Sequence, residues 1–302
     1  MKKIAIIGAG NVGATLGKRL IGQGHTVRWG VPDPKNAKYQ GLDVTTPAEA
    51  TQDAEIVFLA VPWQAAEEAV VAAAYRAWKS RLPRDQQAWE TILEENLGDF
   101  YFPLHQRDKV QGISNAWDYV ADDPALPRVL LIGDSISRGY TLAARSALAG
   151  RANVHRAPEN CGPTANGLAK LDVWLGSGKW DIIVFNFGIH DRATPRAEYE
   201  SRLEQIIERL QRTGARLIWV TSTPIPPGLA RYGDPAAIGE LNRIGTQLAQ
   251  RRGIAVVDLY DFITPEIARV QVAADVHFKP EGYELLGARV AQAIAATLPR
   301  QQ

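Results

Sequence analysis

The sequence predicts an α/β protein made of two successive parallel-sheet units, and three observations predict it. From residue 129 onward, five short apolar runs near Val129, Val154, Ile182, Leu217 and Ile254 alternate with helical stretches at 198–212 and 239–252. Parallel strands need crossover helices, so this alternation implies a parallel sheet covered on both faces, a three-layer α/β/α sandwich. Residues 3–7 form a separate apolar run that breaks into a glycine-rich turn and then an alanine- and leucine-bearing helical stretch ending near Gly22. At 302 residues the chain is also long enough for two cores.

The amino-terminal turn reads Gly8-Ala9-Gly10-Asn11-Val12-Gly13. In a strand-turn-helix context these glycines let a pyrophosphate approach the helix amino terminus, which makes Gly8, Gly10 and Gly13 candidate cofactor-binding residues of a Rossmann-like βαβ unit. A second strand at 26–29, a third apolar strand at 55–61 and a helix at 65–74 are expected to follow. Through Gly8 to Gly13, His25-Thr26-Val27 and Ala60-Val61-Pro62-Trp63, residues 1–71 resemble the start of the deazaflavin-dependent NADP oxidoreductases. The resemblance implies NADP as the ligand. A complete Rossmann domain has two βαβαβ halves, however, and after residue 71 the pattern passes into a charged helix, so a partial unit is expected. Gly30-Val31-Pro32 stand where an acid would meet the ribose, Asp33 comes three residues late, and Arg28 meets a 2′-phosphate only if it projects from the strand end. Two readings stay open: an NAD(P)-binding unit, and a glycine-rich βα unit that keeps the fold without useful affinity.

Residues 76–126 read as a connecting extension with a helix at 86–97, followed by Gly98-Asp99-Phe100-Tyr101-Phe102-Pro103, whose aromatics should pack on the neighbouring unit. The expected domains are therefore 1–75, 76–126 and 127–302.

The apolar run Val129-Leu130-Leu131-Ile132 ends abruptly in Gly133-Asp134-Ser135. Open α/β sheets carry their chemistry at the carboxyl ends of strands, which makes Ser135 a candidate nucleophile; a turn or capping serine is the alternative. A serine needs a base, and there are five histidines. His25 precedes a strand of the first unit, His105 falls in an irregular stretch and His155 falls inside a short strand. His190, in Gly188-Ile189-His190-Asp191 just past an apolar strand, and His277, in Ala274-Asp275-Val276-His277 in a loop leading into the last helix, remain as candidates.

These residues resemble, in order, the blocks of the SGNH (GDSL-type) hydrolases over 127–298. The resemblance implies the SGNH-type sandwich, with Ser135 as nucleophile and His277 as base. It further implies an oxyanion site made by the Ser135 and Gly162 amides and the His190 side chain. His190 replaces the family's asparagine, and an imidazole N–H can still donate to developing negative charge. The family's Asp-x-x-His is one residue short here, with Ala274 in the acid's position. Either Asp275 or a backbone carbonyl then orients the His277 ring.

The implied activity is serine ester hydrolysis on small acyl esters, acetylated sugars among them, with no cofactor required. The rival functions are an NADP-dependent oxidoreductase whose second half is a substrate domain, and a non-catalytic binding module derived from a hydrolase. Cys161 has no separate base and reads as structural, and a lone cysteine builds no thiolate metal site. A net charge of +1, with Arg202, Arg209 and Arg212 interleaved with Glu200, Glu204 and Glu208, argues against nucleic-acid binding. No apolar run approaches a membrane span and 4–7 reads as a strand, so a soluble cytoplasmic protein acting on a small-molecule ester is expected. Substrate contacts are expected from loops at 139–141, 221–232 and 263–272.

Overall fold

The structure, a computed structural model, describes residues 1–226 and 228–298; Pro227 of the expected 221–232 loop and the last four residues of the expected third domain lie outside the described residues. The chain divides into two compact units, Met1–Arg81 and Leu82–Gln302.

The first unit runs β1 (Lys3–Ile7), α1 (Asn11–Gly22), β2 (Thr26–Gly30), β3 (Val44–Thr45), α2 (Pro47–Thr51), β4 (Ile56–Leu59) and α3 (Trp63–Lys79). Its sheet is parallel throughout, in the order β3-β2-β1-β4. Ile4, Ile6, Val27 and Trp29 fill one side of the sheet and Ala5, Ile7 and Ala50 another cluster. The strand expected as third, at 55–61, is fourth in the chain: β3 is only two residues long and too short to leave a hydrophobic period. β4 forms the sheet edge, and Ile56, Val57, Phe58 and Leu59 are all exposed there.

The second unit opens with α4 (Arg84–Asn96) and α5 (Gly98–Val110). The aromatic stretch after Gly98 is thus helical, with Pro103 inside it, and His105 lies on a helix and not in an irregular segment. Packing overrides propensity here. Tyr101 and Phe102 pack against Leu93, Leu97 and Trp117, and fully buried His105 bonds Glu90 at 2.8 Å.

The sandwich follows: β5 (Arg128–Ile132), α6 (Ser135–Ala147), β6 (Asn153–Arg156), α7 (Thr164–Leu175), β7 (Ile182–Phe185), α8 (Arg196–Gln211), β8 (Arg216–Val220), α9 (Ala236–Arg251), β9 (Ala255–Val257), α10 (Leu259–Ile263), α11 (Ile267–Val270) and α12 (Pro280–Thr297). All five expected strands form one parallel sheet, in the order β6-β5-β7-β8-β9. Each face has its own core. Leu130, Ile132, Phe185 and Trp219 meet α7, α8 and α9 on one side; Val129, Leu131, Val184 and Val220 meet α6 and α12 on the other. α6 and α12 approach so closely that a Cβ on Gly139 would lie 2.0 Å from the Tyr283 ring. The free edge of β6 is covered by the extension, where the Asp123 amide donates to Asn153 Oδ1 at 2.9 Å and the Asn153 amide group donates back to the carbonyls of Asp123 and Leu126 at 2.9 and 3.0 Å. Among the described residues no helix is long and apolar enough to cross a membrane.

Candidate active site

β5 delivers Ser135 to the first turn of α6 because Asp134 caps that helix, its carboxylate accepting from the Ile136 amide at 2.9 Å. The alternative reading of Ser135 as a capping residue therefore fails: the neighbouring Asp134 does that work and the serine hydroxyl is left available. His277 enters from the loop before α12. Its Nε2 lies 2.9 Å from Ser135 Oγ and its Nδ1 lies 2.7 Å from Asp275 Oδ1. An ionised carboxylate only accepts, so Nδ1 carries the ring proton and the Nε2 lone pair faces the serine hydroxyl.

The shortened acid spacing is absorbed locally. Ala274 adopts φ 54°, the left-handed region, and is the one non-glycine with positive φ among the described residues. Asp275 Oδ1 then accepts both the His277 amide, at 3.1 Å, and the ring. Arg231 closes the other side, donating to Asp275 Oδ2 at 3.2 Å and to the Ala274 carbonyl at 3.1 Å. Burial opposes ionisation of Asp275, but the His277 amide and ring outweigh it and hold the carboxyl below its ordinary range.

The remaining site residues are joined by a short relay of bonds. Gly162 sits at φ 65° in a loop tied to the nucleophile turn, since the Cys161 amide donates to the Gly133 carbonyl at 3.2 Å. α7 starts just beyond, and buried Asp191 accepts from the Thr164 amide at 2.8 Å and its hydroxyl at 2.7 Å. That fixes the turn holding His190, whose ring is exposed and makes no hydrogen bond among the described residues. Burial raises the Asp191 carboxyl against the Thr164 bonds that lower it. Cys161 is buried, and burial pushes its thiol up to about 12, as suits a structural residue.

Two residues escaped sequence reasoning. Arg156, 1 % exposed on β6, donates to the Gly133 and Asp134 carbonyls at 2.9 Å each and to Ser137 Oγ at 2.5 Å, so it braces the nucleophile turn from below. Tyr101 comes from the extension, edge-on to Trp117 at 5.3 Å with Arg138 over its ring at 5.4 Å. Its phenol is raised chiefly by burial, with the Arg138 and Arg156 charges opposing that rise. Tyr101 thus packs the extension against Arg138 on α6, the helix that begins with Ser135. The only sequence signal for it was the aromatic density of 100–103.

In the first unit, Gly8 takes φ 103°, and a Cβ on Gly13 would lie 2.0 Å from the Gly8 carbonyl oxygen, while at Gly10 nothing stands within 4 Å. Tight packing at two glycines and open space at the third fits a pyrophosphate cradle at the start of α1. The rest of a dinucleotide site fits poorly. Arg28 lies two residues inside β2, pairs with Asp43 at 3.5 Å and does not project from the strand end. Among the described residues no cluster of three or more His, Cys, Asp or Glu is placed to hold a metal.

An α/β/α sandwich with a serine, a histidine and an aspartate joined at the carboxyl edge of its sheet is a hydrolase architecture. Residues 131–285, just over half of the chain, match the model of the GDSL-like lipase/acylhydrolase family, and the protein belongs to that family of ester-acting hydrolases. Residues 3–82 match the model described as NADP oxidoreductase, coenzyme F420-dependent, in keeping with a partial Rossmann-like unit. A lipase/acylhydrolase from Enterococcus faecalis is similar at 25% identity and TM-score 0.52, over 58% of this chain and 99% of that one. An acetyl xylan esterase from Geobacillus stearothermophilus shares the fold at 16% identity and TM-score 0.50, over 58% of this chain and 97% of that one. No curated protein matches the chain.

Proposed function

We propose that the protein is a serine esterase that cleaves small acyl esters, acetylated sugars among them, by two-step acyl transfer. The single observation that carries the reading is the continuous hydrogen-bonded chain from Ser135 through His277 to Asp275. His277 Nε2 takes the hydroxyl proton as Ser135 Oγ attacks the ester carbonyl, and Asp275 steadies the imidazolium that results. The tetrahedral oxyanion is held by the Ser135 and Gly162 amides and by the His190 imidazole. His277 then returns its proton to the leaving alcohol oxygen, the carbonyl re-forms, and an acyl-serine remains. Water deprotonated by His277 attacks that ester and releases the carboxylic acid and free Ser135. A screen of nitrophenyl esters and acetylated sugars, with Ser135→Ala as control, tests the assignment and finds the acyl group and alcohol.

His190 is assigned as the third oxyanion donor because it replaces an asparagine in the family block and its turn is pinned by Asp191 beside the Gly162 loop. Removing one such donor typically costs about 10²-fold to 10³-fold in kcat, since preorganised donors act on charge that develops only in the transition state. His190→Ala should lower kcat by that amount with KM little changed, and His190→Asn should recover part of the loss. A rise in KM at constant kcat would make His190 a substrate-binding residue instead.

The amino-terminal unit is assigned no redox cycle: among the described residues its sheet has the four strands β3-β2-β1-β4 and no second nucleotide half. Calorimetry should give weak binding of an adenine nucleotide at Gly8, Gly10 and Gly13, abolished by Gly10→Glu, and no hydride transfer from NADPH. Tight NADPH binding together with reduction of an acceptor would reverse the ranking of the two functions.

A further inference from the structure

Where the extension meets the β6 edge and the end of α7, the second unit encloses a cleft of about 250 Å³ that shares none of Ser135, Gly162, His190, Asp275 or His277. Its walls are aromatic. Trp89, Trp174 and Trp180 line it with their indole N–H groups already bonded within the protein, to the Trp117 carbonyl at 2.7 Å, Glu159 at 3.0 Å and the Leu175 carbonyl at 2.9 Å. Trp174 is buried and Arg128 lies over the Trp180 ring at 4.2 Å, so the ring surface left to offer is that of half-buried Trp89 and of Trp180 away from Arg128. Half-buried Tyr119 adds a fourth ring.

The charge in this cleft is not balanced. Asp122 is shared by Arg128 at 2.8 Å and His155 at 2.6 Å, and Asp118, the acid that most steadies Arg145, is itself paired with Lys109. Arg145 and Arg156 have no carboxylate partner among the described residues and bond mainly to carbonyls, Arg145 to that of Val154 at 2.8 Å and Arg156 to those of Gly133 and Asp134. Arg156 Nε is buried without a hydrogen bond. Buried cations are normally paired, because desolvating an uncompensated charge is costly. Burial does lower both guanidinium groups, Arg145 to about 10. An anion entering the cleft would supply the missing charge. Beside the rings, Asp122 offers acceptors and Arg128 donors, and this mixture suits a ligand with an apolar face and a hydroxylated rim.

From this geometry we infer that the cleft is a second, non-catalytic binding site for an anionic sugar unit, with the pyranose face against Trp89, Tyr119 and Trp180 and its carboxylate or phosphate in the field of Arg145 and Arg156. The site does not depend on the hydrolytic reading: Arg156 also braces the nucleophile turn, but no lining residue touches the reacting atoms of the proposed acyl transfer.

The test is a titration of the full chain followed by tryptophan fluorescence and confirmed by calorimetry. Glucuronate and glucose-6-phosphate separate the two anion sources, with glucose, acetate and inorganic phosphate as controls. At least one anionic sugar should bind saturably, and about tenfold or more tightly than glucose or the bare anion. Trp180→Ala, at a half-buried position, and Arg145→Met should each weaken it about tenfold, whereas Ser135→Ala should leave it unchanged. The inference is overturned if neither anionic sugar binds, if glucose binds equally well, if Trp180→Ala binds as wild type does, or if Ser135→Ala removes the binding.

Discussion

Ser135→Ala should lower kcat/KM for a nitrophenyl ester by about 10⁴-fold or more while leaving the melting temperature close to that of the wild type. The kinetic loss follows from the nucleophile and base acting as a unit: without the hydroxyl no acyl-enzyme forms, and only the oxyanion donors and binding contacts accelerate attack by water. The fold should tolerate the change because the cap of α6 is Asp134, and the hydroxyl's bond to His277 joins two side chains and no backbone. Alanine is also a better helix former than serine in the first turn. Steady-state kinetics on rigorously purified protein, beside circular dichroism, checks both halves. Activity within tenfold of wild type would remove Ser135 from the mechanism.

How much of this was legible in the sequence depended on whether a feature had a period. The runs at 129–132 and Ile182–Phe185 are buried on both faces, so every residue in them is apolar and the run announces itself. The turn glycines and Ser135 followed from where such strands end. By contrast, two-residue β3 has no period, and α5 carries a glycine at its start and a proline inside, both of which argue against a helix until Tyr101 and Phe102 are seen packed on α4 and Trp117. Tyr101 lies far in sequence from the Arg138 it packs against, and Arg156 reads as one more charge in a short strand. Their roles come from packing over long sequence separations, to which local pattern is blind. The pairing of Asp275 with His277 was half legible: the residues were evident, but the left-handed Ala274 that goes with the short spacing was not.

That short spacing sets up the second large effect. If Asp275 orients the His277 ring, Asp275→Ala should lower kcat by about 10³-fold to 10⁴-fold with KM nearly constant, since the acid fixes the tautomer and steadies an imidazolium that exists only during turnover. Asp275→Asn should be no better: its amide nitrogen can donate to Nδ1 and favour the tautomer with the proton on Nε2, facing the serine the wrong way. The pH dependence carries a sign of its own. The carboxyl is held below its ordinary range in the folded protein, so its stabilising bonds to His277 are fully present above the unfolded carboxylate range and are lost as pH falls through the lowered folded value. Arg231→Ala removes the cation from Oδ2 but leaves the bonds of His277 to Oδ1, so its effect on kcat should be far smaller than that of Asp275→Ala. Should Asp275→Ala keep kcat within tenfold of wild type, a backbone carbonyl orients the ring, and the carboxylate serves only to turn the loop.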